Sequence, residues 1–397
     1  MITSILDFGT EKIFAGIGRR GLNDSIILLG TGESNYEGFN QGSFFDPKNL
    51  PAALGQAILA AEKSARHTIE HIVVGVPSDF TTCICRDEQI SLGKKRKVLS
   101  SDVDLLHEQA SDIKKMAGYT LINSQPIYYT LDDGGRLIDP VGLTSSMIGG
   151  HISYILAEDR FLIAVREMLK QLGINSVTFV SNLVSSSMFL FDDITRDRYV
   201  VYLDCGHRTT SVAVARGDGI LAQYNIPIGG WDIAEALQKR FLNEPNQLTH
   251  KQADNLKRRV SLNLNLGEED MYVIHSTDSM RADKLEYKAK IVNEIVSEVI
   301  KALAQTIIKS LKLCTYDFPD YIPFHLGGGG ISFIKGAPEL LSKHLRRPVE
   351  VVAPNLPRLE NHPHLSSVYA LLDTALRLTP PEPTKPKGLF SRLFRKK

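Results

Sequence analysis

Cysteine is scarce in this chain. The four that occur, Cys83, Cys85, Cys205 and Cys314, are too few and too unevenly spaced for a disulfide framework. The one Cys-x-Cys pair supplies two ligands where a tetrahedral zinc site needs four. Reduced thiols in a cytosolic protein are therefore expected. Long apolar runs are missing too. No stretch nears the roughly 18 residues needed to span a bilayer, and the N-terminus enters a strand pattern at once, without the basic-then-apolar order of a signal peptide. Charge of one sign is also lacking: 46 Lys and Arg stand against 45 Asp and Glu, so nothing in the bulk composition asks for nucleic acid. The one tryptophan, Trp231, directly follows Gly229-Gly230, where it either lines a cleft or packs in a core. At 397 residues the chain is too long for a single compact core, and two or more domains are expected.

What is present is a short pattern used twice. Leu6-Asp7-Phe8-Gly9-Thr10 leads into the alternating run Ile13, Ala15, Ile17 and the turn Arg20-Gly21. Leu203-Asp204-Cys205-Gly206, with Thr209 close behind, leads into Val212, Val214 and the turn Gly217-Asp218-Gly219. Each reads as strand, acidic tight turn, strand. One such hairpin alone would be ordinary. Two in the same order suit a nucleotide clamp made of two similar domains, in which turn N–H groups face phosphate oxygens and each Asp holds a magnesium ion, usually through water. Thr10, Lys12 and Thr209 are further phosphate candidates, although Lys12 on a solvated strand edge and Thr10 fitting a turn would explain them as well. No residue stands out as a general base, so no catalytic residue is assigned, and weak or absent hydrolysis is expected.

Around these hairpins the pattern is α/β. A helix follows Asp46 or Asn49, with Leu54, Ile58, Ala61 and Ala65 on its buried face, and Ile69–Val76 is a short apolar strand. From about Asp79 to Ser153 the pattern changes to a small α+β unit: a helix over Val103–Ala117, short strands at Leu121–Gln125 and Ile127–Thr130, and a strand at Met147–Leu156. Asp159–Gly173 is an amphipathic helix and Ser176–Val180 a strand. After the second hairpin come helices at Asp232–Leu242, Lys251–Val260 and Tyr287–Leu313, then four glycines, Gly327 to Gly330. Pro338–Leu345 is helical, Val349–Val352 is a strand, and Leu365–Leu376 is the last core helix. His362-Pro363-His364 reads as a surface turn rather than a metal site, since no further ligand is in evidence.

The chain ends differently. Thr379–Lys387 is a Pro/Lys/Thr-rich linker without a core pattern. In the last ten residues Leu389, Phe390, Leu393 and Phe394 form one apolar stripe if helical, flanked by Arg392, Arg395, Lys396 and Lys397. A basic amphipathic helix of this kind lies in a membrane interface. Each cation near an anionic leaflet adds roughly 1 kcal/mol, and each buried Leu or Phe adds about 1.5–3 kcal/mol. A disordered basic tail would explain the charges but not the apolar spacing.

Taken together these residues resemble the FtsA family, bacterial actin-like cell-division proteins of the actin/Hsp70/sugar-kinase superfamily. The resemblance covers nearly the whole chain. Asp7-Phe8-Gly9-Thr10 stands at the first phosphate loop and Asp204-Cys205-Gly206-His207-Arg208-Thr209 at the second. Asp139-Pro140-Val141-Gly142-Leu143 is similar to the family's Asn-Pro-Val-Gly-Leu segment. Ala253-Asp254-Asn255-Leu256-Lys257 resembles the Glu-x-x-Lys helix that touches ribose and adenine. Gly328, Gly329 and Gly330, with Gly336 beyond, resemble the adenosine loop, and Gly229-Gly230 closes the preceding strand.

The resemblance implies a two-domain actin-like ATPase fold, duplicated ribonuclease H-like domains with an α+β insert in the first. The first domain would span 1–78 and 156–196 around the insert 79–155. The second core would span 197–231 and 321–378, the latter also returning to the first domain, around a helical subdomain 232–320, followed by linker 379–387 and membrane helix 388–397. It implies ATP and Mg2+ as ligands, FtsZ and other division proteins as partners, filaments by self-association, and a place on the cytoplasmic face of the membrane at the division site. The FtsZ C-terminal peptide would bind the helical subdomain. One departure is notable. Where the family carries Asp-Ile-Gly-Gly-Gly-Thr, His207 and Arg208 replace two glycines, which restricts backbone approach to phosphate. Arg208 either forks onto a phosphate or points outward. The alternatives to a division tether are a PilM-like pilus scaffold, a nucleotide-independent interaction module and an active kinase or chaperone-like ATPase.

Overall fold

The computed structural model describes residues 2–22, 25–110, 112–244, 247–275, 284–357 and 359–378. The linker 379–387 and the amphipathic segment 388–397, with all its membrane candidates, lie outside the described residues.

Alternating apolar residues build the first sheet. β1 (Ile2–Phe8) pairs antiparallel with β2 (Lys12–Arg20), and β2 with β3 (Ile26–Asn35). A small hairpin, β4 (Phe39–Asn40) and β5 (Ser43–Phe44), precedes helix α1 (Leu50–Ala65), after which β6 (His71–Val76) returns parallel to β1. Successive side chains of a strand face opposite sides. Leu6 and Phe8 therefore bury in one cluster with Leu54, Ile58 and Ala61 of α1, while Ile5 joins another with Leu371 and Leu372 of the last helix.

A smaller sheet comes next, from β7 (Thr81–Lys97), helix α2 (Ser100–Glu108), β8 (Tyr119–Thr130), β9 (Arg136–Leu137) and β10 (Thr144–Glu158), in the order β7-β10-β8-β9. Here the sequence reading needs correction. It places no strand over β7, whose charged residues hide the alternation; as an edge strand β7 leaves most of them in solvent. The helix expected over Val103–Ala117 ends at Glu108, and a single 3-10 turn, Ile113–Lys115, follows Asp112, which Arg86 of β7 holds at 2.6 Å. The two strands expected around Pro126 are one, because the proline sits beside a register shift where its missing N–H does not break the ladder.

α3 (Asp159–Gln171) and β11 (Ser176–Ser181) complete the first sheet, β11-β6-β1-β2-β3. Two short helices not foreseen, α4 (Asn182–Leu190) and α5 (Asp193–Asp197), lead to β12 (Val200–Cys205), β13 (Thr210–Arg216) and β14 (Gly219–Ile226). α6 (Gly230–Arg240), α7 (His250–Lys257), an unforeseen hairpin of β15 (Met271–His275) and β16 (Lys284–Lys288), and α8 (Ala289–Leu311) follow. Last come β17 (Phe324–Gly327), α9 (Ala337–Leu345), β18 (Val349–Val351) and α10 (Ser366–Leu378). α8 buries Val292, Val296, Ile300, Leu303 and Ile307, a three-and-four spacing that turns one helical face onto the second core.

The second sheet runs β14-β13-β12-β17-β18. Both five-stranded sheets thus follow one plan, an antiparallel meander of three strands followed by two parallel ones. Asp7 pairs with Gly75 of β6 and Asp204 with Gly327 of β17, so the two aspartates hold the same place in matching sheets. Among the described residues no helix is long and apolar enough to cross a membrane.

Candidate functional site

The two acidic turns meet. In the first, Gly9 N–H donates to Lys12 O at 3.0 Å; in the second, Gly206 N–H donates to Thr209 O at 2.8 Å. These are turns of equal length closed by the same bond. They face each other closely enough that Arg208 N–H donates to the Thr10 hydroxyl at 2.9 Å.

Between them lies a cavity of about 200 Å3, below the roughly 300–1,000 Å3 usual for small-molecule sites. Asp7, Gly9, Thr10 and Lys12 line it from the first half, and Asp204, Gly206, His207 and Thr209 from the second. Asp254 and Lys257 of α7 and Gly328 and Gly329 after β17 complete it. Of the sequence candidates, Gly229, Gly230, Gly330 and Arg208 are not on its wall. Gly230 N–H and Gly330 N–H donate instead to Gly206 O and Cys205 O, at 3.0 and 2.7 Å, and so brace the second turn from behind. A Cβ on Gly330 would stand 2.3 Å from Gly206 O, and Gly328 has φ +79°, so neither position accommodates a side chain.

The cavity is acidic, and its carboxyls are largely buried. Asp7 accepts from Asn182 Nδ2 at 2.9 Å and Ser367 Oγ at 2.7 Å, yet burial outweighs both bonds and pushes its carboxyl up. Burial, then the charge of Asp7, pushes Asp204 up to about 6. A third acid, Asp79, is also pushed up to about 6 by burial, although Gln41 N–H and the Thr209 hydroxyl bond it at 3.1 and 3.5 Å. The nearby cations are engaged elsewhere. Lys12 pairs with Glu33 at 2.6 Å, and the buried Lys257 with Asp254 at 2.5 Å and with Gly230 O at 3.2 Å. Among the described residues no group of three or more His, Cys, Asp or Glu side chains is gathered as for a directly ligated metal. Buried carboxyls without a cationic partner nonetheless suit a cation held through water.

His207 and Arg208, the residues that replace glycines, resolve into distinct roles. Burial, and secondly the charge of Lys257, pushes His207 down to about 4, which leaves it neutral at neutral pH. Arg208 neither reaches into the cavity nor points into solvent. Its guanidinium lies 3.9 Å from the Trp231 ring centroid in the second half and 4.8 Å from that of Phe45 in the first, with Glu37 at 3.9 Å. Trp231 itself is off the cavity wall, stacked on His250 with ring centroids 3.5 Å apart.

Sequence reading missed Asp79, Asn182 and Ser367, and also Tyr36, whose hydroxyl donates to Gly9 O at 2.6 Å. Asp79 alone had a visible signal, an acid just past a proline that ends a core strand. His364 lines the same cavity beside Gly329.

Comparisons with known proteins bear on the fold and on the family the sequence is similar to. The family described as MreB/Mbl protein matches residues 160–357. Cell division protein FtsA of Neisseria meningitidis is 23% identical over 382 residues, covering 94% of this chain and 90% of the relative. FtsA of Pseudomonas aeruginosa is 20% identical over 352 residues, covering 88% and 82%. Among solved structures, a PilM-PilN type IV pilus biogenesis complex superposes with a TM-score of 0.61 at 18% identity, covering 94% of this chain and 98% of that one. MreB5 of Spiroplasma citri bound to AMPPNP superposes with a TM-score of 0.53 at 12% identity, covering 94% of each. The chain has the actin-like ATPase fold, and its sequence is similar to that of FtsA proteins along nearly its whole length.

Proposed function

We propose that this chain is an actin-like, ATP-binding protein of bacterial cell division. In this reading the C-terminal basic amphipathic segment holds it on the cytoplasmic face of the membrane, where it tethers FtsZ polymers and stacks head to tail into filaments. The nucleotide part is carried by one observation: two turns of identical closure, one from each half, face each other across buried carboxyls that lack a cationic partner. The division part is supported by FtsA similarity over 94% of the chain.

Thr10 and Thr209 would present hydroxyl groups to the phosphates, joined by the Lys12 ammonium, while Gly9 and Gly206, whose own N–H groups close the turns, would let the phosphates come close to the backbone. Asp254 and Lys257 would face the ribose and base, and Gly328 and Gly329 would let the backbone come close. Asp7 and Asp204, with water between, would hold magnesium. A bound magnesium ion supplies the positive charge that lets phosphates and carboxylates share one site. The bond between Arg208 N–H and Thr10 occupies groups that phosphate oxygens would take, so the turns must part to admit ligand.

The deciding experiment is fluorescence anisotropy of a labelled FtsZ C-terminal peptide on the full chain, with and without Mg-ATP. Saturable binding, lost when the helical region 232–320 is altered, is expected. Absence of binding in both states would overturn the tether reading. The likeness to PilM makes a PilN peptide the proper second arm, and binding there alone would favour a pilus scaffold. For the anchor, replacing Phe390 and Phe394 together with Ala is expected to reduce binding to anionic vesicles at least about tenfold. Unchanged binding would remove the membrane reading.

A further inference from the structure

The first sheet has two ends, and the function above uses one of them. Asp7 of β1, Val76 of β6 and Ser181 of β11 lie at the cleft end of their strands. The opposite end holds Ile2, which pairs with Arg19 of β2, and Ile26 of β3, which pairs with Arg20. α10 joins the two ends. Near its start the Ser367 hydroxyl donates to Asp7 at 2.7 Å. Further on, Leu372 lies under Gly18 of β2, where a Cβ would stand 2.8 Å from it, and near its close Leu376 shares a cluster with Ile26. The helix therefore runs down the sheet away from the cleft and delivers the chain, at Leu378, to the far end. The linker 379–387 and the basic amphipathic segment follow from that point in the sequence.

The far end carries apolar and cationic side chains together. Leu22 is 90% exposed, Leu378 55% and Ile2 38%. Leu22 sits in a closed turn between β2 and β3: its carbonyl accepts from the Ser25 N–H at 3.2 Å and the Ser25 hydroxyl at 2.8 Å, and Gly21 N–H donates to Ser25 O at 2.7 Å. The turn thus holds the leucine at its tip, outside any core. Arg19 and Arg20 are exposed just before it, as is Arg66 where α1 leads into β6. Arg377 pairs with Asp373 at 2.8 Å. Glu70 is an exposed acid on the same rim, and Asp24 of the turn lies outside the described residues.

A lone exposed leucine is ordinary surface. Apolar tips among arginines, on the face from which a basic amphipathic segment departs, match a bilayer interface instead: leucine enters the acyl boundary while arginines reach the phosphates. A linker of nine residues, 379–387, reaches at most roughly 30 Å. An anchored tail would keep this face close to lipid, so even a weak contact is populated through the high effective concentration.

We infer that the far end of the first sheet, the β2–β3 turn with Leu22 at its tip and Arg19 beside it, is a second membrane contact that seats on anionic lipid. This rests on the membrane reading of the tail given above. The tail supplies attachment, and the turn fixes which way the body faces, with the cleft directed away from the bilayer.

The test uses the full chain on phosphatidylcholine vesicles with and without phosphatidylglycerol. Leu22→Trp places a reporter at the tip, Leu264→Trp places one at an exposed leucine of the second half (56% exposed), and the unaltered chain gives the Trp231 baseline. With phosphatidylglycerol present, the Leu22→Trp emission is expected to shift to the blue and to be quenched by lipids brominated on their acyl chains, while Leu264→Trp stays at baseline. Leu22→Asp is expected to reduce vesicle affinity about tenfold and Arg19→Gln about fivefold; both residues are exposed, so the fold is not at stake. If the unaltered chain binds vesicles but Leu22→Trp is neither shifted nor quenched, or reports no more than Leu264→Trp, this inference falls and the tail anchor stands. If the unaltered chain binds no vesicle, the anchor reading fails and this contact fails with it.

Discussion

In the first turn Gly9 closes on Lys12, and behind it β6 runs out into Pro77-Ser78-Asp79, which crosses to the other half: Ser78 meets Ser211 at 2.5 Å and Asp79 meets Thr209. In the second turn Gly206 closes on Thr209 in the same way, but there β17 runs out into Gly328–Gly330, which folds back on its own turn through Gly330 and Cys205. Two sheets of one plan therefore use the same position for opposite purposes, one to join the halves and one to stiffen a loop. A duplicated fold preserves the backbone frame, while the residues just past its strands are free to diverge.

That contrast can be broken most severely at the brace. Gly330→Ala and Gly328→Ala place a Cβ 2.3 Å from Gly206 O and from Cys205 O respectively. Each should cost more than about 3 kcal/mol in denaturant unfolding. Gly9→Ala, whose Cβ would sit 3.0 Å from Lys12 O, should cost about 1 kcal/mol, since the neighbour has to yield only slightly. Equal costs would erase the distinction between the turns.

Next in size is pH. Asp204 and Asp79 ionise near 6, and only ionised carboxylates hold a cation. As pH falls below about 6 they take up protons, and Mg-ATP affinity should fall at least about tenfold per unit. Asp204→Asn should weaken binding and flatten that slope, and titration calorimetry at several pH values would show it. A slope unchanged in the variant would assign the proton to another group.

Smaller still is the bridge over the cleft. Arg208→Ala should lower stability by about 1 kcal/mol through loss of its contacts to Trp231 and Phe45, and tighten ATP binding several-fold because the turns part more readily. Arg208→Lys keeps the charge but not the flat stacking and should act alike. Unchanged affinity in both would show that the bridge does not resist opening. The least effect is optical. Trp231 is the sole tryptophan and sits on this bridge, so Mg-ATP should shift its emission modestly. Proven binding with no shift would mean that the second turn stays where it is.

Much of this was legible from sequence because it is local. The hairpins and the α1 face are short-range patterns with periods of two or about three and a half, and they appear as read. β7 was not legible, since its charged residues conceal a strand held by pairing along β10 and by contacts with distant segments such as β14. Nor were Asn182 and Ser367. They reach Asp7 from 175 and 360 positions away, and neither carries a motif.

The sequence by itself determined that two like acidic turns exist and that each joins two strands, because strand alternation and turn chemistry depend only on near neighbours. Only the tertiary structure decided that the turns face each other, that three buried carboxyls share one cavity, and that Arg208 spans the halves instead of entering the site. Those outcomes depend on burial and on contacts between distant segments, where a charge's partner is chosen by packing rather than by its place in the chain.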